Sequence, residues 1–258
     1  MTFLKEILDS KRVEIENLAS LDDLKNQFES ENCREVRMPI WTNQLDVIAE
    51  IKRRSPSKGI LAEIENPEVL AKKYEKGGAT IISVLTDEKY FGALPTDLQA
   101  VRNCTSIPIL RKDFIIDERQ VYESFLIGAD MILLIVAAFD NVENLSTLYK
   151  CASKLGLSVL VEAHNENEIA IANDIGAQIV GVNVRDLETF EEDPTVGDTL
   201  IKKVRKEAIS VWESSITTIE QATRAKQSGA GAVLIGQGLV QNENPTEFIQ
   251  QIRNISIP

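Results

Sequence analysis

The chain has 258 residues, of which 43% are apolar and 26% charged, and its formal net charge is −12. That length allows two small domains or one large one, and the composition is globular, with material for a sizeable core. The acidic balance argues against nucleic acid, which needs a basic face, and no apolar run approaches the ~20 residues of a membrane span.

Residues of about 3–19 read as an amphipathic N-terminal helix with no apolar leader, so a soluble, cytoplasmic protein that avoids membranes is expected. A polar connection follows. From there apolar runs at 47–52, 80–86, 108–113, 131–137, 158–163, 178–183, 209–213 and 232–236 alternate with segments of helical spacing, such as 67–76 and 118–127. Regular alternation of strand and helix implies a parallel sheet with right-handed crossovers. Gly78-Ala79, Gly128-Ala129, Gly176-Ala177 and Gly229-Ala230 precede the second, fourth, sixth and eighth runs, where glycine can end a helix in the left-handed region. Eight such units, with no G-x-G-x-x-G after the first strand, predict an α/β chain folded as a (β/α)8 TIM barrel. It is expected to be a single domain over 1–258, with an N-terminal extension at about 1–45.

In a barrel the C-terminal ends of the strands share one face. Glu50, Lys52, Lys112, Glu162, Asn183 and Glu213 stand at those ends and are expected to converge on one opening. Ammonium groups beside carboxylates can push pKa values apart and supply an acid and a base near neutral pH. Lys112 is expected to be desolvated, with a lowered pKa, and to protonate a carbonyl oxygen; the bland alternative is a surface lysine in a loop. Glu162 closes the run Val159-Leu160-Val161, where an unpaired carboxylate would be expensive. Asn183 either positions a substrate or caps the next helix, and Arg185-Asp186 is either an internal ion pair or part of a ligand site.

Because the global field repels anions, a phosphate or carboxylate must be held locally, with Lys52, Lys58, Arg111, Lys112 and Arg185 as candidate cations. Ile235-Gly236-Gln237-Gly238 offers backbone N–H groups next to a helix start. Cys33, Cys104 and Cys151 have neither metal spacing nor a disulfide pattern. His164, the only histidine, reads as a structural or rim residue, so neither a zinc site nor a Ser-His-Asp triad is expected.

Over essentially its whole length the chain resembles the indole-3-glycerol-phosphate synthase family. The most specific match is Ala49-Glu50-Ile51-Lys52-Arg53-Arg54-Ser55-Pro56-Ser57-Lys58-Gly59. Leu110-Arg111-Lys112-Asp113-Phe114-Ile115-Ile116-Asp117, Val161-Glu162, Gly181-Val182-Asn183-Val184-Arg185-Asp186-Leu187 and Glu213-Ser214 follow in the family's order. Ile7-Leu8-Asp9-Ser10-Lys11-Arg12 is similar to the family's extra helix before the barrel. The resemblance implies a small phosphorylated substrate, 1-(2-carboxyphenylamino)-1-deoxyribulose 5-phosphate, and ring closure with loss of CO₂ and water. It implies that Lys112 is the general acid, Glu162 the acid/base partner in dehydration, and Lys52 the contact to the substrate carboxylate. Glu50, Asn183 and Glu213 would orient the substrate, while Ser55, Phe91, Arg185, Ser214, Ser215, Gly236 and Gln237 map to substrate and phosphate binding. No metal or organic cofactor is implied, and a monomer is expected.

Three positions depart from the family pattern. Glu213-Ser214-Ser215 stands where the family usually reads Glu-Ser-Gly, so Ser215 is expected to strain the loop or crowd a phosphate. Trp212 replaces a usually small residue and is expected, with Leu94 in the segment Phe91-Gly92-Ala93-Leu94, to reshape the pocket. Two alternatives remain at this level: a paralogue acting on another amino-sugar phosphate, and a catalytically silent barrel with a binding or regulatory role.

Overall fold

The computed structural model describes residues 2–30, 34–186 and 188–257; Cys33 and Leu187 lie outside the described residues. Eight parallel strands close into a barrel in sequence order: β1 (Asp46–Ile51), β2 (Ile81–Leu85), β3 (Ile109–Lys112), β4 (Met131–Ile135), β5 (Ser158–Ala163), β6 (Ile179–Asn183), β7 (Ile209–Glu213) and β8 (Ala232–Ile235), which pairs back on β1. Each strand falls where an apolar run predicts it. The four Gly-Ala steps precede the even strands with their glycines at φ of 88°, 98°, 77° and 103°, a region that costs a residue with a Cβ.

The strands read as continuous apolar runs because both of their faces are buried. Ile48, Leu110, Met131, Leu133, Leu160, Val211 and Leu234 fill the barrel interior. Val47, Ala49, Ile82, Val84, Val180 and Val182 face the helices. Side chains alternate along a strand, so a residue two positions beyond an inward one also points inward. That parity carries Glu50 beyond Ile48, Lys112 beyond Leu110, Glu162 beyond Leu160 and Glu213 beyond Val211 to the same end of the barrel. Trp41 and Ile209 pack against the interior cluster.

The same parity corrects the expectation for Trp212. It lies between Val211 and Glu213 and therefore points outward, where its ring packs with the helix-side core. Gly197 of the helix Pro194–Leu200 makes the room, since a Cβ there would lie 2.4 Å from the ring. Trp212 does not reach the pocket, and Leu94 is half exposed and is not among the residues that line it.

Helix α1 (Phe3–Glu16) starts at Thr2, whose hydroxyl accepts from the Lys5 N–H. A second helix, α2 (Leu21–Ser30), occupies part of what reads in the sequence as a polar connection. Ser20 caps it by accepting from the Asp23 N–H, and Phe28 packs edge-on against Tyr122 and Phe125. Its apolar stripe of Leu21, Leu24 and Phe28 is thin, and acidic neighbours obscure it.

α1 is fixed by Lys11, a buried residue whose ammonium lies 2.8 Å from Asp87, 2.9 Å from Asp113 and 2.7 Å from Glu14. Burial pushes this ammonium down, but Asp113 and Asp87 more than reverse the effect and hold it well above its ordinary value. Burial likewise pushes Asp113 up, while Lys11 and Arg111 bring it down to about 2. Lys11→Met removes the cation and leaves two buried carboxylates without it. Urea denaturation is expected to show a loss of ~3–5 kcal/mol, the usual size for breaking a buried pair; a loss below ~1 kcal/mol would mean that α1 is held by its apolar face instead.

Candidate active site

Strand parity and two glycines build the polar floor of the pocket. Lys112 ends β3, and its Nζ lies 3.2 Å from Glu162 Oε2 and 3.7 Å from Glu213 Oε2. Glu50, near the end of β1, has Oε2 2.6 Å from the Nζ of Lys52, the first residue after that strand. A Cβ at Gly181 would lie 1.9 Å from Glu213 Oε1, and one at Gly236 2.2 Å from Glu50 Oε2. Both carboxylates therefore occupy space that only glycine leaves open.

Asn183 does not cap a helix. Its Nδ2 donates to Glu162 Oε1 at 3.1 Å, while its Oδ1 accepts from the Ser214 hydroxyl at 2.8 Å and from the Arg185 N–H at 3.1 Å. Glu162 is thus oriented by the end of β6 and the loop after β7 together.

The charges divide unequally among these groups. Burial pushes the Lys112 ammonium down, but Glu162, Glu213 and Glu50 outweigh that and raise it well above its ordinary value. The expected lowering of Lys112 is corrected: three carboxylates overcome desolvation. Burial raises Glu162 too, but Lys112, His164 and Asn183 hold it well below the usual carboxylate range. Glu213 goes the other way, raised by burial and by the neighbouring Glu162 charge. The two carboxyls on either side of the ammonium are thus shifted in opposite directions, Glu162 towards the ionised form and Glu213 towards the protonated one.

The other wall is apolar and aromatic, with Phe3, Phe91, Phe114, Leu133, Ile135 and Phe190 lining the pocket. Phe91 and Phe114 lie with ring centroids 6.2 Å apart, and Phe3 of α1 meets Phe190 edge-on at 5.1 Å. A planar hydrocarbon ring suits this wall, with its polar substituents turned to the charged floor.

At the rim, Ser214 and Ser215 adopt left-handed φ of 74° and 60°. The Ser215 hydroxyl donates to Glu192 Oε2 at 2.7 Å, and Glu192 also pairs with Arg185. Lys58 Nζ donates to the Gln237 side chain at 2.8 Å, joining the loop after β1 to the turn after β8. Ser215, Gly236, Gln237, Arg185 and Lys58 all line the pocket.

Three placements differ from expectation. Ser55 is buried beside the pocket, not in its lining, and its hydroxyl accepts from the Lys58 N–H in a tight turn. Arg111 has outward parity; it pairs with Glu123 at 2.7 Å and Asp113 at 3.3 Å and is no anion ligand. Arg185 pairs with Glu192, whereas Asp186 accepts from the backbone N–H groups of Glu188 and Thr189. Sequence reasoning missed Glu192 and Phe190, whose loop carries no strand parity to aim them. It also missed that His164 touches Glu162, at 3.2 Å; the i,i+2 spacing of the two residues was the available signal. Among the described residues no group of three or more His, Cys, Asp or Glu side chains is placed to hold a metal ion.

The division of charge has a consequence for stability. A carboxyl whose folded pKa is raised binds more protons folded than unfolded, so Glu213 destabilises the fold increasingly as pH rises through its unfolded value. Glu213→Gln keeps the shape and removes that penalty. Its urea midpoint is expected to exceed that of the parent at about pH 8 and to match it at about pH 4, near the ordinary glutamate pKa. A lower midpoint at the higher pH would mean that Glu213 is ionised in the folded protein.

The family model described as indole-3-glycerol phosphate synthase matches residues 4–252. An indole-3-glycerol phosphate synthase of Kineococcus radiotolerans is 40% identical over 261 residues, covering 98% of this chain and 95% of its own length. One of Chloroherpeton thalassium is 43% identical over 252 residues, covering 94% and 96%. Among solved structures, the 3-hexulose-6-phosphate synthase from Salmonella typhimurium has a TM-score of 0.63 at 16% identity over 81% of this chain and 97% of that one, which is a likeness of fold alone. With a match that spans the barrel and the helix before it, the chain belongs to the indole-3-glycerol phosphate synthase family.

Proposed function

We propose that the protein closes the indole ring of 1-(2-carboxyphenylamino)-1-deoxyribulose 5-phosphate, releasing CO₂ and water. The observation that carries this reading is an ammonium, Lys112, set 3.2 Å from Glu162 and 3.7 Å from Glu213 and facing an aromatic wall. A new C–C bond forms between the ring carbon that bears the carboxylate and the ketone carbon. Lys112 gives its proton to the ketone oxygen as that bond forms, leaving a hydroxyl. The ring carbon then loses CO₂, and the electron pair of the broken bond restores the aromatic ring. The hydroxyl departs as water with a second proton, supplied from Lys52, and Glu162 takes a proton from the methylene carbon beside the nitrogen to form the last double bond. Two protons are given and one is taken, so each turnover draws one from solvent.

Lys52 is also placed to meet the substrate carboxylate, because Glu50 fixes its ammonium at the mouth of β1. A protonated Glu213 can donate to a substrate oxygen where an ionised one would repel it. Asn183 serves by holding Glu162. The phosphate is assigned to Ser214, Ser215, Gly236 and Gln237, with Lys58 beside them, a rim where backbone N–H groups supply donors in an otherwise acidic molecule. Among the described residues no helix is long and apolar enough to cross a membrane. The small phosphorylated substrate is the reason for assigning the protein to the cytoplasm.

The direct test follows the indole chromophore as the purified protein acts on this substrate. Turnover is expected for the parent, with a fall of at least ~10²-fold in folded Lys112→Met and Glu162→Gln, the usual size of a lost general acid or base. Normal turnover in either variant would sink its assignment; no turnover in the parent would favour a silent barrel or another amino-sugar phosphate.

Ser215 bears on affinity. Its left-handed backbone costs ~1–3 kcal/mol, and its hydroxyl draws Glu192 towards the rim where the phosphate is assigned. Ser215→Gly is expected to lower KM by up to roughly ten-fold while leaving kcat within about two-fold, the affinity change that ~1.4 kcal/mol produces. An unchanged KM would show that Ser215 neither strains nor crowds the substrate.

A further inference from the structure

His164 is the only histidine in the chain, is largely buried, and takes no part in the proton transfers assigned to Lys112, Lys52 and Glu162. Its ring lies between two carboxylates on different elements. Nε2 is 3.2 Å from Glu162 Oε1 on β5, an ion-pair contact off the hydrogen-bond line, and Nδ1 is 3.2 Å from Glu168 Oε2 on the helix Glu166–Asp174. The His164 backbone N–H donates to the same Glu168 oxygen at 2.8 Å, and Asn165 Nδ2 donates to Glu168 Oε1 at 2.5 Å, so that carboxylate is pinned.

A neutral imidazole has one N–H, so one of its two nitrogens would present a lone pair to a carboxylate oxygen at this distance. Only the imidazolium matches both sides. Asp186, in the loop after β6, adds a third negative charge at longer range, and Lys112 stands beyond Glu162 on the far side. Burial disfavours the charged ring, but the contacts with Glu162 and Glu168 raise His164 to about 10.

We propose that His164 is a positioning residue for the ring-closing reaction: an imidazolium clamped between Glu162 and Glu168 that aims the Glu162 carboxylate and keeps it ionised. Glu162 then receives three supports, from Lys112 on one oxygen and from Asn183 and His164 on the other. Lys112 changes charge as it gives up its proton, so a base supported by it alone would lose that support at the moment it is needed. His164 is a second cation, outside the pocket lining, that keeps its proton throughout. This rests on the reading of Glu162 as the base in dehydration.

Because there is a single histidine, ring-nitrogen and ring-proton NMR of the intact protein reports this side chain alone. The ring is expected to stay protonated across about pH 6–8, where an unperturbed histidine loses its charge. Glu168→Gln is expected to bring its titration down into that window. His164→Gln is expected to lower kcat by about ten-fold with KM within about two-fold. It is also expected to move the acid limb of the kcat profile up by ~1 pH unit or more, as a carboxylate losing a cationic neighbour does. A ring that is neutral at about pH 7 in the parent overturns the proposal even where the variant fails to fold, as does a His164→Gln enzyme with the parent's pH profile. Glu162→Gln, run in parallel, separates the two readings: retained turnover there removes Glu162 as the base, while the NMR titration still decides whether the clamp exists.

Discussion

Around Lys112 stand the carboxylates of Glu162, Glu213 and Glu50, at the end of a barrel whose interior is otherwise packed with Ile, Leu, Val and Met. Charges this buried are tolerable only when paired and hydrogen-bonded, since each unpaired ion costs several kcal/mol. One ammonium cannot neutralise three carboxylates, and Lys52 takes only Glu50. The surplus drives the other two apart, pushing Glu213 towards its protonated form while Lys112, His164 and Asn183 hold Glu162 towards its ionised one. Much of the local architecture serves this division. Gly181 and Gly236 leave room for two carboxylates, and Asn183 and His164 secure the third.

Asp113, the residue that follows β3, serves a separate network. Lys112 turns to Glu162 and Glu213, while Asp113 meets Lys11 of α1 and Arg111 on the helix side. The end of one strand therefore carries the acid and also anchors the helix that contributes Phe3, Leu4 and Ile7 to the aromatic side of the pocket. A shift of α1 would be felt at β3, because its anchor and the Lys112 backbone are consecutive in the chain.

The barrel was legible because its signals are local: an apolar run for each strand and a glycine closing every second helix. The floor of the site was legible for a related reason, since a charge ending an apolar run is expensive anywhere except at a shared opening. Trp212 was misread although the same rule contained the answer, for if Glu213 points in, the residue before it points out. The direction of Lys112's shift depends on how many carboxylates three other strands deliver, a count that no single segment holds. Arg111 sits within a matching motif yet faces the helices, because a motif fixes residue order and strand parity fixes direction, and Ser55 is spent on the turn that follows it. α2 was hidden by the acidic residues around its thin apolar stripe, and Glu192 and Phe190 by a loop with no periodicity.

At neutral pH the pocket is expected to hold Glu162 ionised and Glu213 protonated in the same protein. Infrared spectra of protein labelled with ¹³C at its glutamate carboxyls read both states at once. A protonated-carboxyl band is expected at about pH 7, well above the ordinary glutamate pKa, that vanishes in Glu213→Gln and persists in Glu162→Gln. Absence of that band in the parent, or its loss in Glu162→Gln alone, would contradict this division of charge.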